Sequence, residues 1–156
     1  MIHPKTSIGH IHLKVSNLDK AIKFYKEVLG FEIISNTKGA AFLSAGGYHH
    51  HIGLNTWESE GGAPPPNGST GLYHFAILLP ERKELAKVFR SIIKHKWPIE
   101  GAADHGVSEA IYLKDPDQNG IEIYIDKPKQ QWPKDAKGDI EMYTKQLDIE
   151  NLLKEP

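Results

Sequence analysis

Apolar and polar positions alternate in several short stretches of the chain, a pattern typical of β-strands with one apolar face. The first of these stretches covers residues 8–15, where apolar residues alternate with His10, His12 and Lys14. Because side chains two positions apart lie on the same face of a strand, His10 and His12 are expected to point the same way.

The following segment has the period of a helix. Ser16 or Asn17 can cap its start, and Gly30 can end it. Its apolar stripe consists of Ala21, Ile22, Phe24, Tyr25, Val28 and Leu29. Three further strands are predicted at 31–35, 40–45 and 48–57, so the first half of the chain has the order β-α-β-β-β.

Residues 59–70 contain many glycines and prolines and are predicted to form a linker. After it the same order begins again, with a strand at 73–79, a helix from Pro80 or Glu81 to about His95, and later strands. The later strands are predicted at 98–100, 110–113 and 121–125. The helix is expected to bury Leu85, Val88, Phe89, Ile92 and Ile93.

The two halves therefore form an internal repeat. Aligned without a gap, His10 falls on His74, and the apolar positions of the two strand-helix segments coincide. The alternative is coincidence, since any two strand-helix units share such periodicity. A repeat predicts that the two half-sheets pair and bring His10 close to His74.

We expect one domain at 6–126, made of a first unit at 6–58, the linker and a second unit at 71–126. The predicted class is α+β, with tandem βαβββ units that form a curved mixed sheet. The tail, 127–156, is expected to be helical and to dock on the domain or on another subunit. No residue pattern in the tail indicates catalysis or metal binding.

Composition narrows the possible partners. The formal net charge is −1, so neither nucleic acid nor a membrane is expected as a partner. A small molecule is the expected partner. The chain has no cysteine, which leaves histidine and carboxylate as the metal ligands. No apolar run has the length of a signal peptide core or of a membrane span, and we expect a soluble, cytoplasmic protein.

Three residues are candidate metal ligands: His10, His74 and Glu122. Glu122 lies on the last predicted strand, where a carboxylate is either solvated or placed for function. A lone strand histidine is more often a core or surface residue, but two repeat-equivalent histidines beside a carboxylate favour a metal site. Such a set suits Fe(II) or Mn(II), and a Zn(II) site is also chemically possible. His12 could replace His10, although it has no histidine equivalent in the repeat.

Three stretches resemble the vicinal oxygen chelate superfamily of glyoxalases, extradiol dioxygenases and antibiotic-resistance proteins. They are residues 9–15 (GHIHLKV), 24–31 (FYKEVLGF) and 115–122 (DPDQNGIE), within a similarity that spans roughly residues 6–126. The resemblance implies a glyoxalase/extradiol dioxygenase-like fold, with metal ligation by His10, His74 and Glu122 in a cavity of the curved sheet.

Glyoxalase I enzymes of this superfamily carry a second acidic ligand on the last strand of the first unit, but that strand reads HHIGLN here. The two-histidine, one-carboxylate set instead resembles that of the extradiol catechol dioxygenases. This resemblance implies that His50 acts as acid or base, and that His105 and Tyr112 lie near the substrate oxygens. The alternatives are a solvated edge for His50 and ordinary core packing for Tyr112.

The function that the resemblance implies is an extradiol-type, metal-dependent dioxygenase, with Fe(II) as the expected ion and a vicinal diol or aromatic compound as substrate. The chain is about half as long as two-domain extradiol enzymes, so a homodimer is expected. A glyoxalase-like isomerase or lyase and a non-catalytic, resistance-type binding protein remain as alternatives.

Overall fold

A computed structural model describes residues 1–156 as two compact units, Met1–Asn67 and Gly68–Pro156. Each unit contains one mixed sheet and follows the order β-α-β-β-β. The predicted α+β class and the order of elements in both halves are confirmed.

The first unit has four strands: β1 Ile11–Lys14, β2 Glu32–Thr37, β3 Ala40–Ser44 and β4 Ile52–Asn55. They lie in the order β1-β4-β3-β2, with β1 parallel to β4 and the other pairs antiparallel. The first and the last strand of the unit are therefore neighbours, and helix α1 (Leu18–Lys23) packs on β3 and β4.

Helix α1 begins where its capping residue predicts. The side chain of Asn17 accepts a hydrogen bond of 2.9 Å from the backbone N–H of Lys20, which satisfies one free amide of the first turn. The helix continues as a π-helical turn at Phe24–Val28, and Gly30 follows with a φ of 85°. This conformation favours glycine, so Gly30 ends the helix as expected. The predicted apolar stripe is buried.

The second unit has five strands: β5 Phe75–Leu78, β6 Ile99–Asp104, β7 Ser108–Lys114, β8 Gly120–Asp126 and β9 Lys145–Gln146. Their order is β5-β8-β7-β6-β9, and β5 runs parallel to β8. The edge strand β5 thus lies directly beside β8, the strand that carries Glu122.

Helix α2, Arg82–Lys94, lies within the predicted range and begins after Glu81. It buries Leu85, Ala86, Phe89 and Ile92. The expectation for Ile93 is wrong, because its side chain is 49 % exposed in the last turn while the small Ala86 is buried instead. No helix in the structure has the length and the apolar character needed to cross a membrane.

The tail is less helical than expected. It has a 3-10 turn at Lys129–Gln131, a short helix α3 at Ile149–Leu152, and between them β9, which pairs with the edge of β6. Pro128 and Pro133 interrupt any longer helix, and the edge of β6 offers free backbone groups to a strand. Leu147 and Leu152 are buried, so the tail packs on the second unit.

Candidate metal centre and active site

A glycine sets the distance between the two predicted ligands of the second unit. Residues of β5 and β8 pair in parallel, so that Phe75 lies opposite Ile121, and His74 directly precedes β5. A Cβ atom on Gly120 would collide with the carbonyl oxygen of Tyr73 and would lie 3.1 Å from the Cβ of His74. Only glycine lets the chain approach this closely, and Glu122, two residues later, lies on the same face of the strand.

The side chains of His74 and Glu122 are in contact. His74 Nε2 lies 3.1 Å from Glu122 Oε2, and both side chains are largely shielded from solvent. Two donors that each bind a divalent ion at about 2.1 Å, at a right angle, are themselves about 3.0 Å apart. The distance is that of a hydrogen-bonded ion pair, and it also fits two adjacent ligands of one metal ion.

The second oxygen of Glu122 is held by Tyr112. These residues lie opposite each other on β8 and β7, and the Tyr112 hydroxyl donates a hydrogen bond of 2.9 Å to Glu122 Oε1. Burial and, after it, the hydrogen bond to Glu122 together raise the pKa of Tyr112 to about 12. The phenol therefore keeps its proton at neutral pH and leaves Oε2 available for an ion.

His105 extends this chain of hydrogen bonds. Its Nε2 lies 2.8 Å from the hydroxyl oxygen of Tyr112. Because the only hydroxyl proton of Tyr112 is donated to the Glu122 carboxylate, the proton between His105 and Tyr112 belongs to His105 Nε2. His105, Tyr112, Glu122 and His74 thus form one connected series within the second unit.

In the first unit, His10 and His50 lie together. Their ring centroids are 4.3 Å apart, and His50 Nδ1 is 2.8 Å from His49 Nδ1. Burial lowers the pKa of His50, and the neighbouring His10 and His49 rings lower it further. The prediction that His50 lies on a strand is wrong, because β4 begins only at Ile52 and His50 belongs to the preceding loop.

His12 has a different environment, which the sequence did not indicate. Its ring covers Gly53, where a Cβ would lie 2.9 Å from the His12 Cγ, and its Nε2 lies 3.0 Å from Asn55 Nδ2. Phe42 and Trp57 flank the ring, with centroids 5.8 and 5.7 Å away. A glycine opposite a histidine on a neighbouring strand is a signal for such a contact. The signal can be used only when the register between the two strands is known, and the sequence alone does not give that register.

The predicted site residues therefore form two groups, one per unit: His10 with His50, and His74 with Glu122, Tyr112 and His105. Within neither unit do three His, Asp or Glu side chains gather as a set that could hold an ion. The structure thus brings together two of the three predicted ligands, and His10 as the third stays a prediction.

The fold is that of a known family. The chain belongs to the Glyoxalase/Bleomycin resistance protein/Dioxygenase superfamily, whose family model matches residues 7–123. The resemblance to the vicinal oxygen chelate superfamily is thereby confirmed. A glyoxalase/dioxygenase from Nostoc punctiforme has a similar fold, with a TM-score of 0.67 at 20 % identity over 82 % of this chain and 97 % of that chain.

Several relatives are named as dioxygenases. The chain is 44 % identical to a catechol-2,3-dioxygenase from Bacillus subtilis (strain 168), over 99 % of this chain and 53 % of that protein. It is 29 % identical to a manganese-dependent 2,3-dihydroxybiphenyl 1,2-dioxygenase from Geobacillus genomosp. 3, over 83 % of this chain and 39 % of that protein. The chain thus spans about half the length, or less, of these two relatives.

Proposed function

We propose that this protein is a metal-dependent dioxygenase of the extradiol type that acts on a small aromatic vicinal diol. The observation that carries the proposal is the contact between His74 and Glu122, whose donor atoms are spaced as two adjacent metal ligands. The relative at 44 % identity, a catechol-2,3-dioxygenase, supports the choice of reaction.

The proposed ligands are His74, Glu122 and, from the first unit, His10. Two imidazoles and one carboxylate are the ligand set of non-haem Fe(II) oxygenases, and Fe(II) is the proposed ion. Mn(II) is the second candidate, since one relative is named as manganese-dependent, and Zn(II) is chemically possible. When bound, such an ion supplies Lewis acidity toward the diol and redox chemistry toward dioxygen.

The other residues orient groups and move protons. Tyr112 fixes the carboxylate of Glu122 by binding Oε1, so that Oε2 keeps a single orientation. His105 holds the phenol of Tyr112 in place from its other side and is proposed to exchange a proton with the substrate. His50, which lies beside His10, is proposed as a further acid or base.

Metal content is the first test. Protein purified without an affinity tag and reconstituted anaerobically with Fe(II) is expected to hold about one ion per chain. His74→Ala, Glu122→Ala and His10→Ala are expected to lose it. His95→Ala is a matched control, because His95 is exposed and its ring bonds only to Ser91 of the same helix. Unchanged metal content in His74→Ala and Glu122→Ala would remove the proposal.

Oxygen uptake is the second test. With Fe(II) bound, a panel of catechols is expected to consume dioxygen and to give the coloured products of ring cleavage. The glyoxalase-like alternative lacks an acidic ligand on β4, which reads Ile52 to Asn55 without a carboxylate. Silence across the catechols together with turnover of a hemithioacetal would establish that alternative.

We extend the proposal to assembly and location. A second copy of the chain would supply what longer relatives carry in one polypeptide, so a homodimer is proposed, and analytical ultracentrifugation tests it. The cytoplasm is the proposed compartment, which cell fractionation tests.

A further inference from the structure

The tail contributes a segment that lies against His105. We name residues 143–147 the strap. Within it, β9 pairs with the end of β6, with Gln146 opposite Ala103 and Lys145 opposite Asp104. The backbone N–H of Tyr143 donates to the carbonyl of His105 at 3.3 Å, and Leu147 is buried. The strap therefore runs along the loop that presents His105 to Tyr112.

The strap offers two different hydrogen-bond partners to Nδ1 of His105, the ring nitrogen that does not contact Tyr112. His105 Nδ1 lies 3.2 Å from the carbonyl oxygen of Tyr143 and 3.2 Å from the hydroxyl oxygen of Thr144. A carbonyl can only accept a hydrogen bond, whereas a threonine hydroxyl can donate one. Since Nε2 donates to Tyr112, the neutral ring accepts from Thr144 at Nδ1, and the protonated ring donates from Nδ1 to Tyr143. Each protonation state of His105 therefore has a partner.

Close packing fixes the loop against the tail. Gly106 has a φ of 80°, and a Cβ on it would lie 2.7 Å from Pro133 Cγ and 2.8 Å from Tyr143 Cε1. The backbone N–H of Gly106 donates to Asp104 Oδ1 at 2.8 Å, and the same carboxylate pairs with Lys127. The loop and the strap can meet only because residue 106 has no side chain.

We infer that the strap positions His105, with Thr144 and the Tyr143 carbonyl holding Nδ1 so that Nε2 faces Tyr112 and donates its proton to the hydroxyl oxygen. Thr144 is a positioning residue, because it acts through His105. The effect of this orientation on turnover rests on the proposed function, whereas the orientation itself is independent of it. A segment with no sequence motif thereby becomes part of the site.

The test compares Thr144→Val with Thr144→Ser in the full chain. Nitrogen NMR of the histidine rings is expected to show His105 as the Nε2–H tautomer in the wild type and in Thr144→Ser. In Thr144→Val, Nδ1 loses its donor and a mixture of tautomers is expected. Because Thr144 is exposed and water can replace part of its bond, kcat is expected to fall only about fivefold, with KM and metal content unchanged.

Gly106→Ala provides a second variant, which displaces the strap through contact with Pro133 and Tyr143. Gly101→Ala is its control, because no atom lies within 4 Å of the position of its Cβ. Wild-type tautomer and wild-type kcat in Thr144→Val would overturn the inference, and so would a loss of thermal stability without any change of the His105 tautomer. If no catechol is turned over, the proposed function fails while the NMR comparison still decides the role of the strap.

Discussion

Tyr112 and Glu122 stand opposite each other on neighbouring antiparallel strands, joined by a hydrogen bond of 2.9 Å between phenol and carboxylate. This bond assigns different tasks to the two oxygens of Glu122. Oε1 is occupied by Tyr112, and Oε2 faces His74 at 3.1 Å. Orientation of a ligating carboxylate by such a partner is a general feature of metal sites.

Removing the phenol is expected to impair turnover while the ion stays bound. In Tyr112→Phe, the carboxylate loses its orienting partner and His105 loses its link to the site, so kcat is expected to fall about 10- to 100-fold. Metal analysis and oxygen uptake measure the two effects separately. Tyr124→Phe, which removes a hydroxyl from the same strand β8, is expected to change kcat less than threefold. A loss of metal in Tyr112→Phe as complete as in Glu122→Ala would contradict this division of tasks.

Gly120→Ala is expected to separate His74 from Glu122. The new methyl group meets the Tyr73 carbonyl and the His74 side chain, and overpacking of this kind costs about 1–3 kcal/mol of unfolding free energy. Urea denaturation measures the loss, and a weaker affinity for Fe(II) is expected with it. Gly101→Ala, in the open position on β6, is the matched control. Equal stability of the two variants would show that the approach of Gly120 to Tyr73 is unimportant.

Gly53→Ala is expected to displace the ring of His12. The methyl group would lie 2.9 Å from Cγ of the imidazole, which must then leave its bond to Asn55. We expect a loss of about 1–3 kcal/mol in the unfolding free energy. Adding His12→Ala should recover part of this loss, because the small side chain leaves room for the methyl group. Strict additivity of the two substitutions would argue against the contact.

Asp104 is expected to contribute to stability above about pH 4. Burial alone would raise the pKa of this carboxyl from its ordinary 3.8, but hydrogen bonds from Lys127 and from the Gly106 backbone outweigh burial and lower the pKa. A carboxyl with a lowered pKa in the folded state stabilises the fold when ionised, and this stabilisation disappears as the pH falls through the folded-state pKa.

Asp104→Asn is therefore expected to lower the unfolding free energy at neutral pH. The difference from the wild type should shrink as the pH falls below about 4. Chemical denaturation at a series of pH values measures it. Asp139→Asn, at an exposed position of the tail, is the control and should change little. A difference that grows toward low pH would have the wrong sign for this account.

The order of the elements could be predicted from the sequence because it depends on local patterns. The Asn17 cap, the end at Gly30 of the π-helical turn that continues α1, and the range of α2 all follow from residues within a few positions. The start of β4 does not. Its first paired residue, Ile52, is set by partners on β1 and β3. The histidine run therefore lies before the strand, although the alternating pattern of the sequence includes it.

Only the part of the site that depends on local patterns and on the family resemblance could be predicted. The shared face of β8 and the family resemblance indicated Glu122, His74 and Tyr112, which the structure brings together. The ring of His12 over Gly53 and the strap at His105 depend on the register between segments far apart in sequence. The tail illustrates the point, since it is less helical than expected and its residues 145–146 pair with the edge of β6.

The parallel pairing of β5 with β8 also has a consequence for the order of folding. β5 is the first strand of its unit, and a helix and two strands separate it from β8 along the chain. Contacts between segments so distant in sequence form slowly, because the entropy of closing the loop is lost before any contact compensates for it. We therefore expect His74 and Glu122 to be among the last side chains to meet as the unit folds. An ion that needs both side chains is then expected to bind only molecules in which β5 and β8 have paired, so the time course of its uptake during refolding tests this order.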